Sequence, residues 1–397
     1  MVHLKTKVCI VTARFPPSTG GVETSTYELA RRLVKKGLEV EVHASKTGSN
    51  PSIEYVEGMK VIRHRTLFML FRAPVNPAIP MAILKRKDTD VIHVTSTYPT
   101  ISDLGLIFGR IIRRPVVLAY HFDGVADGFL GLVLQRLYSR LFAKCVSLFA
   151  TAIVSPTRTY AEASPVLGGL GKSIAVIPNG VDLKKFNPCV DGHEVRKRFD
   201  IPEGAKVVLF VGRLVPFKGL EYLFEGVSKM LGEREDLVLM IVGEGELKGK
   251  LMDLARRMGI DRNVVFTGRV SESLLPHCYG ASDLFVLPSV GSPESFGIVL
   301  IEAFASGKPV IATCLAGVNE VIRPGVTGLI VPPKDSEALA CAIRTLVSNN
   351  ELRREMGRRA RLLAEEKYDW NRIVNRYLEV YDLALERGRP NMQLGTE

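Results

Sequence analysis

The chain has 397 residues, 46% of them apolar and 24% charged, which is too long for one ordinary core and excludes a disordered or fibrous protein. The formal net charge of +11 is unevenly spread: residues 1–185 hold 25 Lys and Arg against 13 Asp and Glu, a net +12, while residues 186–397 hold 28 against 29, a net −1. A field of one sign on the first half points to an anionic partner there, whether nucleic acid, acidic lipid or a phosphorylated acceptor. No apolar run is long enough to span a bilayer, and the run at 8–13 is too short for a signal-peptide core, so a cytoplasmic location is expected. Cys9, Cys145, Cys189, Cys278, Cys314 and Cys341 show no metal-ligand spacing and read as reduced, mostly buried thiols.

In chain order, β-branched runs predict strands at 8–13, 39–44, 60–64, 90–94, 116–120, 152–155 and 174–177. An amphipathic helix over 22–36, closed by Gly37, follows the first of them. The alternation stops near Asn179-Gly180-Val181-Asp182, and the polar stretch with Pro188, Asp191, Gly192 and His193 reads as a linker. It restarts with strands at 207–211, 238–242, 264–267, 284–287, 310–312 and 329–331, and helices at 219–231, 247–258, 296–306 and 336–348; the tail 351–385 is an amphipathic helix with Trp370. Strands alternating with helices mean an α/β protein with parallel sheets covered on both faces. Two such doubly wound halves, 1–185 and 186–370, predict a cleft at the carboxyl ends of both sheets.

Four segments carry chemistry. In 289–307, Glu294 and Glu302 stand eight positions apart around a helix start, with Ser295 the expected N-cap and Gly307 the C-terminal glycine. The free N–H groups at such a start suit a diphosphate, and a carboxylate at Glu302 suits ribose hydroxyls, with a structural ion pair as the alternative. In Gly212-Arg213-Leu214-Val215-Pro216-Phe217-Lys218-Gly219, two cations on a βα loop can neutralise a departing nucleoside diphosphate, or be plain surface charges; the spacing is not that of a P-loop. Gly20 and Gly21, between the first strand and first helix, allow close backbone approach to a ligand. In Tyr120-His121-Phe122-Asp123, at the end of a strand, His121 faces a reacting group and Asp123 helps to position it, or else His121 is an ordinary strand-end histidine; His93 is the second candidate.

Taken in order, these segments, with Ile177-Pro178-Asn179-Gly180-Val181-Asp182, Val242-Gly243-Glu244-Gly245 and Phe266-Thr267-Gly268-Arg269, resemble the retaining GT-B glycosyltransferases of family four, and 294–307 most resembles the phosphatidylinositol mannosyltransferase branch. The resemblance implies two Rossmann-like domains facing a central cleft, with a C-terminal helix, 371–397, crossing back to the first domain. It implies that Arg213 and Lys218, with the backbone of Gly20 and Gly21, bind the donor diphosphate, that Glu302 holds the ribose, and that Gly243, Arg269 and Val270 contact the base. Glu294 and the backbone of Ser295, Phe296, Gly297 and Ile298 would grip the donor sugar and a phosphate, with His121 beside the reacting carbon. It further implies transfer of a hexose from a nucleotide sugar, GDP-mannose before a UDP-sugar, without a cofactor or a metal in the chemical step. A non-hydrolysing nucleotide-sugar epimerase and a non-catalytic nucleotide-sugar or polyanion binder are the competing readings; no nucleic-acid-binding motif is present.

The +12 half and the stretch 128–150 predict a lipid-borne or phosphorylated acceptor and peripheral contact with an anionic membrane. Phe129, Leu130, Leu132, Val133, Leu134, Leu137, Leu141 and Phe142 lie there among Arg136, Arg140 and Lys144, as either a core helix with a solvated basic side or a membrane-facing one. Arg63, Arg65, Arg72, Lys85, Arg86, Lys87 and the run 67–71 are expected to add to that surface.

Overall fold

A computed structural model describes residues 5–18, 20–46, 48, 50–70, 73–96, 101–124, 128–231, 236–291 and 293–388. The chain divides into two units, Met1–Asn179 with Trp370–Glu397, and Gly180–Asp369. The first boundary falls six residues earlier than expected, because Val181 bridges to Asp369, donates its N–H to the Tyr368 carbonyl at 2.8 Å and packs in the second core. The stretch read as a linker is packed as well. Arg196, in a helix at His193–Arg198, donates to the carbonyls of Ala281 and Ala205 at 3.0 and 3.1 Å, and His277 contacts the Asp191 carbonyl at 2.6 Å.

The first unit runs β1 (Lys7–Val11), α1 (Gly21–Lys35), β2 (Glu39–Ser45), β3 (Ile53–Val56), β4 (Met59–His64), β5 (Phe68–Leu70), β6 (Ala73–Val75), α2 (Ala78–Leu84), β7 (Val91–Ser96), α3 (Ile101–Ile111), β8 (Val116–Tyr120), α4 (Gly128–Phe149), β9 (Ala152–Ser155), α5 (Arg158–Ala163) and β10 (Ile174–Val176). Its sheet has the order β10-β9-β8-β7-β1-β2-β4-β3, parallel except for β3, while β5 and β6 form a separate hairpin. Strands buried on both faces read as unbroken apolar runs, which is why β7 and β8 were legible in the sequence. One face of the sheet packs on α1 through Leu29, Ala30 and Leu33, and the other on Ile79, Ile83, Leu106, Phe142 and Val146 of α2, α3 and α4.

The second unit runs α6 (His193–Arg198), β11 (Lys206–Val211), a 3₁₀ turn at Pro216–Lys218, α7 (Leu220–Leu231), β12 (Leu237–Val242), α8 (Lys248–Arg257), β13 (Val264–Gly268), α9 (Leu275–Ala281), β14 (Leu284–Leu287), α10 (Ile298–Ala305), β15 (Val310–Thr313), α11 (Ala316–Asn319), β16 (Gly328–Val331), α12 (Ser336–Ser348) and α13 (Asn350–Lys367). Its six strands are all parallel, in the order β13-β12-β11-β14-β15-β16. The helical tail breaks at Tyr368–Asp369, and α14 (Trp370–Gly388) returns to the first unit. Trp370, Ile373, Val374, Tyr377 and Tyr381 enter that unit's core, and the Arg32 guanidinium lies 5.0 Å above the Trp370 ring. Residues 389–397 of the expected crossing helix lie outside the described residues.

Cys9 and Cys278 are buried and Cys145 half-buried, but Cys189, Cys314 and Cys341 are exposed, contrary to a mostly buried set. Apolar neighbours in sequence do not bury a thiol that sits on the solvent side of its helix, as Cys341 does on α12.

Candidate functional site

In each sheet the strand order reverses at one place, between β1 and β7 and between β11 and β14. Open parallel sheets bind ligands outside the carboxyl ends of the strands at such a reversal, where the flanking loops diverge and leave room. The motifs found in the sequence stand on these loops: Gly20 and Gly21 follow β1, Arg213 and Lys218 follow β11, and Glu294 follows β14.

In the second unit the two loops are tied together. The Val290 N–H donates to the Phe217 carbonyl at 2.7 Å, and Lys218 Nζ lies 2.5 Å from Glu294 Oε2. Ser289 Oγ donates to the same carboxylate oxygen at 2.8 Å. Glu294 is 8% exposed, so its charge is neutralised and hydrogen-bonded rather than solvated. Gly219 adopts a φ of 60°, and a Cβ there would stand 2.3 Å from the Pro288 carbonyl oxygen, so only glycine lets the β11 loop approach the β14 loop this closely. Arg213, by contrast, is exposed and makes no ion pair among the described residues, leaving a guanidinium available to an anion.

Past Glu294 the chain enters α10 with Gly297 as N-cap, in the left-handed region at φ 76°, not with the expected Ser295. Phe296 explains the shift: its ring is buried, edge-on to Tyr368 at 5.9 Å, and holds Ser295 and Phe296 outside the helix. Ile298 is therefore the first helical residue and Gly307 closes the C-terminal end at φ 69°. Glu302 lies one turn into α10, half-buried, and accepts the Tyr279 hydroxyl at 2.8 Å through Oε2. Burial pushes its carboxyl up to about 7, against the Tyr279 hydrogen bond, which lowers it. Its other oxygen makes no hydrogen bond among the described residues, and the ion-pair alternative finds no partner there. Gly243, after β12, donates its N–H to the Gly268 carbonyl at 2.9 Å; Arg269 beside it is exposed and Val270 half-buried.

In the first unit, Gly20 is the N-cap of α1 and Gly21 its exposed first residue. Glu23 lies in the same first turn, its carboxylate against Gly20. His121, the residue after β8, is 8% exposed, and burial pushes its imidazole down to about 4, so it is neutral at pH 7. It lines a small pocket with Tyr120, Pro156, Asn179 and Tyr377, and makes no hydrogen bond among the described residues. Asn179 is held from α1 by Ser25, whose hydroxyl donates to its Oδ1 at 2.8 Å.

Two expectations in this unit are corrected. His93 is 1% exposed, contacts the Tyr381 hydroxyl at 2.9 Å through Nδ1 and packs against Tyr377; burial, then the neighbouring His121, push it down to about 3. It secures α14 and is no candidate for chemistry. Asp123 is 7% exposed, and its carboxylate already accepts the hydroxyls of Tyr120, Tyr160 and Ser164 at 2.6, 2.8 and 2.8 Å, leaving it committed to its own domain. Tyr160 and Ser164 were not foreseen, since 37 and 41 residues separate them from Asp123.

The stretch 128–150 has both a core side and an exposed side. On α4, Phe142 and Val146 are core residues, whereas Val133, Leu134, Leu137, Leu141 and Leu148 are 46%, 48%, 55%, 58% and 70% exposed beside exposed Arg136, Arg140 and Lys144. The side chains of Phe129, Leu130 and Leu132, and residues 71 and 72, lie outside the described residues. Arg63 does not join this surface: it is 4% exposed, bound to Glu54 and to the Pro16 carbonyl. Arg86 is half-buried against Glu41, whereas Arg65, Lys85 and Lys87 are exposed. Among the described residues no helix is long and apolar enough to cross a membrane, and no cluster of His, Cys, Asp or Glu could hold a metal ion.

Comparison with known proteins agrees with this arrangement. The family described as glycosyl transferases group 1 matches residues 191–363, and that described as glycosyltransferase family 4 matches residues 19–185. A D-inositol 3-phosphate glycosyltransferase of Geodermatophilus obscurus is 36% identical, over 92% of this chain and 85% of the relative. A phosphatidyl-myo-inositol mannosyltransferase of Mycobacterium leprae is 29% identical, over 93% of this chain and 94% of the relative. In fold, the chain is similar to Anabaena HepE, solved with UDP and glucose, at a TM-score of 0.78 and 21% identity over 95% of this chain and 99% of that one. The chain belongs to the GT-B glycosyltransferases of family four.

Proposed function

We propose that this glycosyltransferase moves a hexose, with retention, from a nucleotide sugar to an anionic acceptor that is lipid-borne or phosphorylated. The observation that carries the reading is the set of charges at the β11–β14 reversal: a free Arg213 on the same loop as Lys218, the Lys218–Glu294–Ser289 cluster, and a half-buried Glu302 one turn into α10. A diphosphate arriving at Arg213 shares Lys218, and the family resemblance assigns the backbone donors of Gly20 and Gly21 to the same diphosphate. Ribose hydroxyls fill the free side of the Glu302 carboxylate, Gly243, Arg269 and Val270 meet the base, and Glu294 with the Ser295–Ile298 backbone holds the sugar. The two cations stabilise the charge that grows on the leaving diphosphate, which a metal would otherwise do.

Retention follows a front-face course. The bond from the anomeric carbon to the diphosphate oxygen breaks, the acceptor oxygen bonds to the same face, and the acceptor proton passes to the leaving diphosphate. His121, neutral at pH 7, is the residue that the family resemblance assigns to the reacting carbon, and the protein contributes orientation and fixed charge. GDP-mannose is the favoured donor, from the mannosyltransferase relatives, with UDP-sugars second, from the UDP complex of the structural neighbour. The acceptors named for the relatives, phosphatidyl-myo-inositol and D-inositol 3-phosphate, are both anionic, which agrees with the basic first half. The exposed face of α4 is where the protein rests on an anionic membrane, as a cytoplasmic peripheral enzyme. Incubation with GDP-mannose, UDP-glucose and UDP-N-acetylglucosamine, with and without inositol phosphate or phosphatidylinositol, tests the reading. Acceptor-dependent release of nucleoside diphosphate and an axial or equatorial product linkage matching the donor support it, and isomerised donor without transfer overturns it.

A further inference from the structure

The turn that carries His121 is held by a hydroxyl cluster with no part in the donor site. Tyr160, in the first turn of α5, accepts the Asp123 N–H at 2.6 Å and donates to Asp123 Oδ2 at 2.8 Å, so one phenol oxygen clamps both the backbone and the side chain of the same residue. Asp123 Oδ1 takes the Tyr120 hydroxyl at 2.6 Å and Ser164 Oγ at 2.8 Å, and that serine oxygen also accepts the N–H groups of Val166 and Leu167 at 3.2 and 3.3 Å. All four residues are buried, at 2% to 7% exposure. Three residues, from the end of β8, from α5 and from its C-cap, thus converge on the Asp123 carboxylate, and His121 stands between Tyr120 and Asp123 in sequence.

Among the described residues, His121 has no hydrogen bond of its own to fix its ring. Its direction is set by the backbone of 120–123 and by the walls of the pocket formed by Pro156, Asn179 and Tyr377. A core that needed only packing would have no use for a carboxylate with three hydroxyl donors, because phenylalanine and alanine fill the same space without the desolvation cost. We propose that Tyr160 and Asp123 are positioning residues of the transfer reaction, locking the turn after β8 so that His121 meets the donor sugar in one orientation. The inference rests on the role given to His121 above.

The test is a double-mutant cycle on the full chain, measured by transfer rate, donor KM and melting temperature. Tyr160→Phe keeps the ring and removes the clamp; kcat falls about 10- to 100-fold, as for a misplaced reacting group, with donor KM within about twofold. In a His121→Ala background the same substitution causes no further loss, because residues acting as one unit are not additive. Ser164→Ala gives a smaller loss of the same kind, and Ser164→Thr, which keeps the hydroxyl, restores the rate; this pair serves if Tyr160→Phe does not fold. Unchanged kcat in Tyr160→Phe, or an equal loss with and without His121, overturns the proposal. Wild-type turnover in His121→Ala overturns the histidine's role itself, an outcome distinct from additivity in a cycle where His121→Ala is impaired.

Discussion

Lys218 Nζ and Glu294 Oε2 stand 2.5 Å apart, joining the loops that follow two neighbouring strands, and neither side chain is more than 12% exposed. A pair this enclosed responds asymmetrically to mutation, since removing one partner leaves the other charge buried and alone. Lys218→Ala is therefore expected to cost about 3 kcal/mol of stability and about 100-fold or more in transfer rate. The double variant Lys218→Met with Glu294→Gln recovers most of the stability and none of the activity. Denaturant titration alongside a transfer assay checks this. A double variant no more stable than Lys218→Ala, or active, counts against the pairing or its role.

Glu302 titrates near pH 7 with no nucleotide bound, because burial disfavours its charge. If its carboxylate accepts ribose hydroxyls, binding selects the ionised form and releases a proton at pH 6.5. Calorimetric titration with a nucleoside diphosphate in two buffers of different ionisation heat reads this directly. Tyr279→Phe removes a hydrogen bond that favours the charged form, so the pH midpoint of nucleotide affinity moves up. Heats independent of buffer at pH 6.5 would remove Glu302 from the nucleotide site.

The two units are expected to respond to acid in opposite directions. In the first, His93 and His121 have native values of about 3 and about 4, below the ordinary 6.5. Their contribution to stability is complete above pH 6.5 and is lost as pH falls towards those native values, by about 2 kcal/mol each on going from pH 6.5 to 5. His64 adds to the trend: burial, then the charge of His43, push it down to about 4. In the second unit the native value of Glu302 lies above its ordinary 4.5, so its effect on stability is lost as pH rises from 4.5 through 7. Hydrogen exchange at pH 5 and 7.5, corrected for intrinsic rates, should show β1, β7 and β8 losing protection in acid while β11, β12 and β14 do not. Equal loss in both units would refute the assignment.

The exposed face of α4 combines an apolar stripe with a cationic flank, the pattern of a helix lying on an anionic surface. Replacing Arg136, Arg140 and Lys144 with Gln should weaken co-sedimentation with acidic liposomes about 100-fold, at about 1 kcal/mol for each charge near the surface. Leu134→Ser with Leu137→Ser and Leu141→Ser should weaken it as well, with little change in melting temperature because these side chains are outside the core. Wild-type binding to neutral vesicles as strong as to acidic ones would point instead to a soluble anionic acceptor.

The sequence reveals most where one residue's environment is set by its neighbours in the chain. The strands at Val116–Tyr120, Ala152–Ser155 and Leu284–Leu287 were legible to the residue, since continuous apolar runs between polar loops admit few other structures. The edge strand Ile53–Val56 escaped notice because a short, half-exposed strand buries little and so leaves little pattern, and the strands of the β5–β6 hairpin are only three residues each. The loops bearing Lys218 and Glu294 could be found as motifs, yet their 76-residue separation hid the ion pair between them. Asp123 looked like a substrate ligand for the same reason: a carboxylate at a strand end looks free until Tyr160 folds onto it. Ser295 lost its capping role to a contact made by the next residue with Tyr368, which no local rule anticipates.

Helix α14 supplies Trp370, Ile373, Val374, Tyr377, Val380, Tyr381 and Ala384 to a core whose other buried members lie before residue 180. A ribosome therefore synthesises every strand of the first unit, and the whole of the second, before the piece that seals the first exists. The nascent first sheet must wait with the surface around Leu29, Leu33 and His93 uncovered, while Gly180–Asp369 has all it needs to fold. The order of completion is then the reverse of the order of synthesis, and a released chain cut after residue 369 would hold every residue of the second unit while lacking the helix that seals the first.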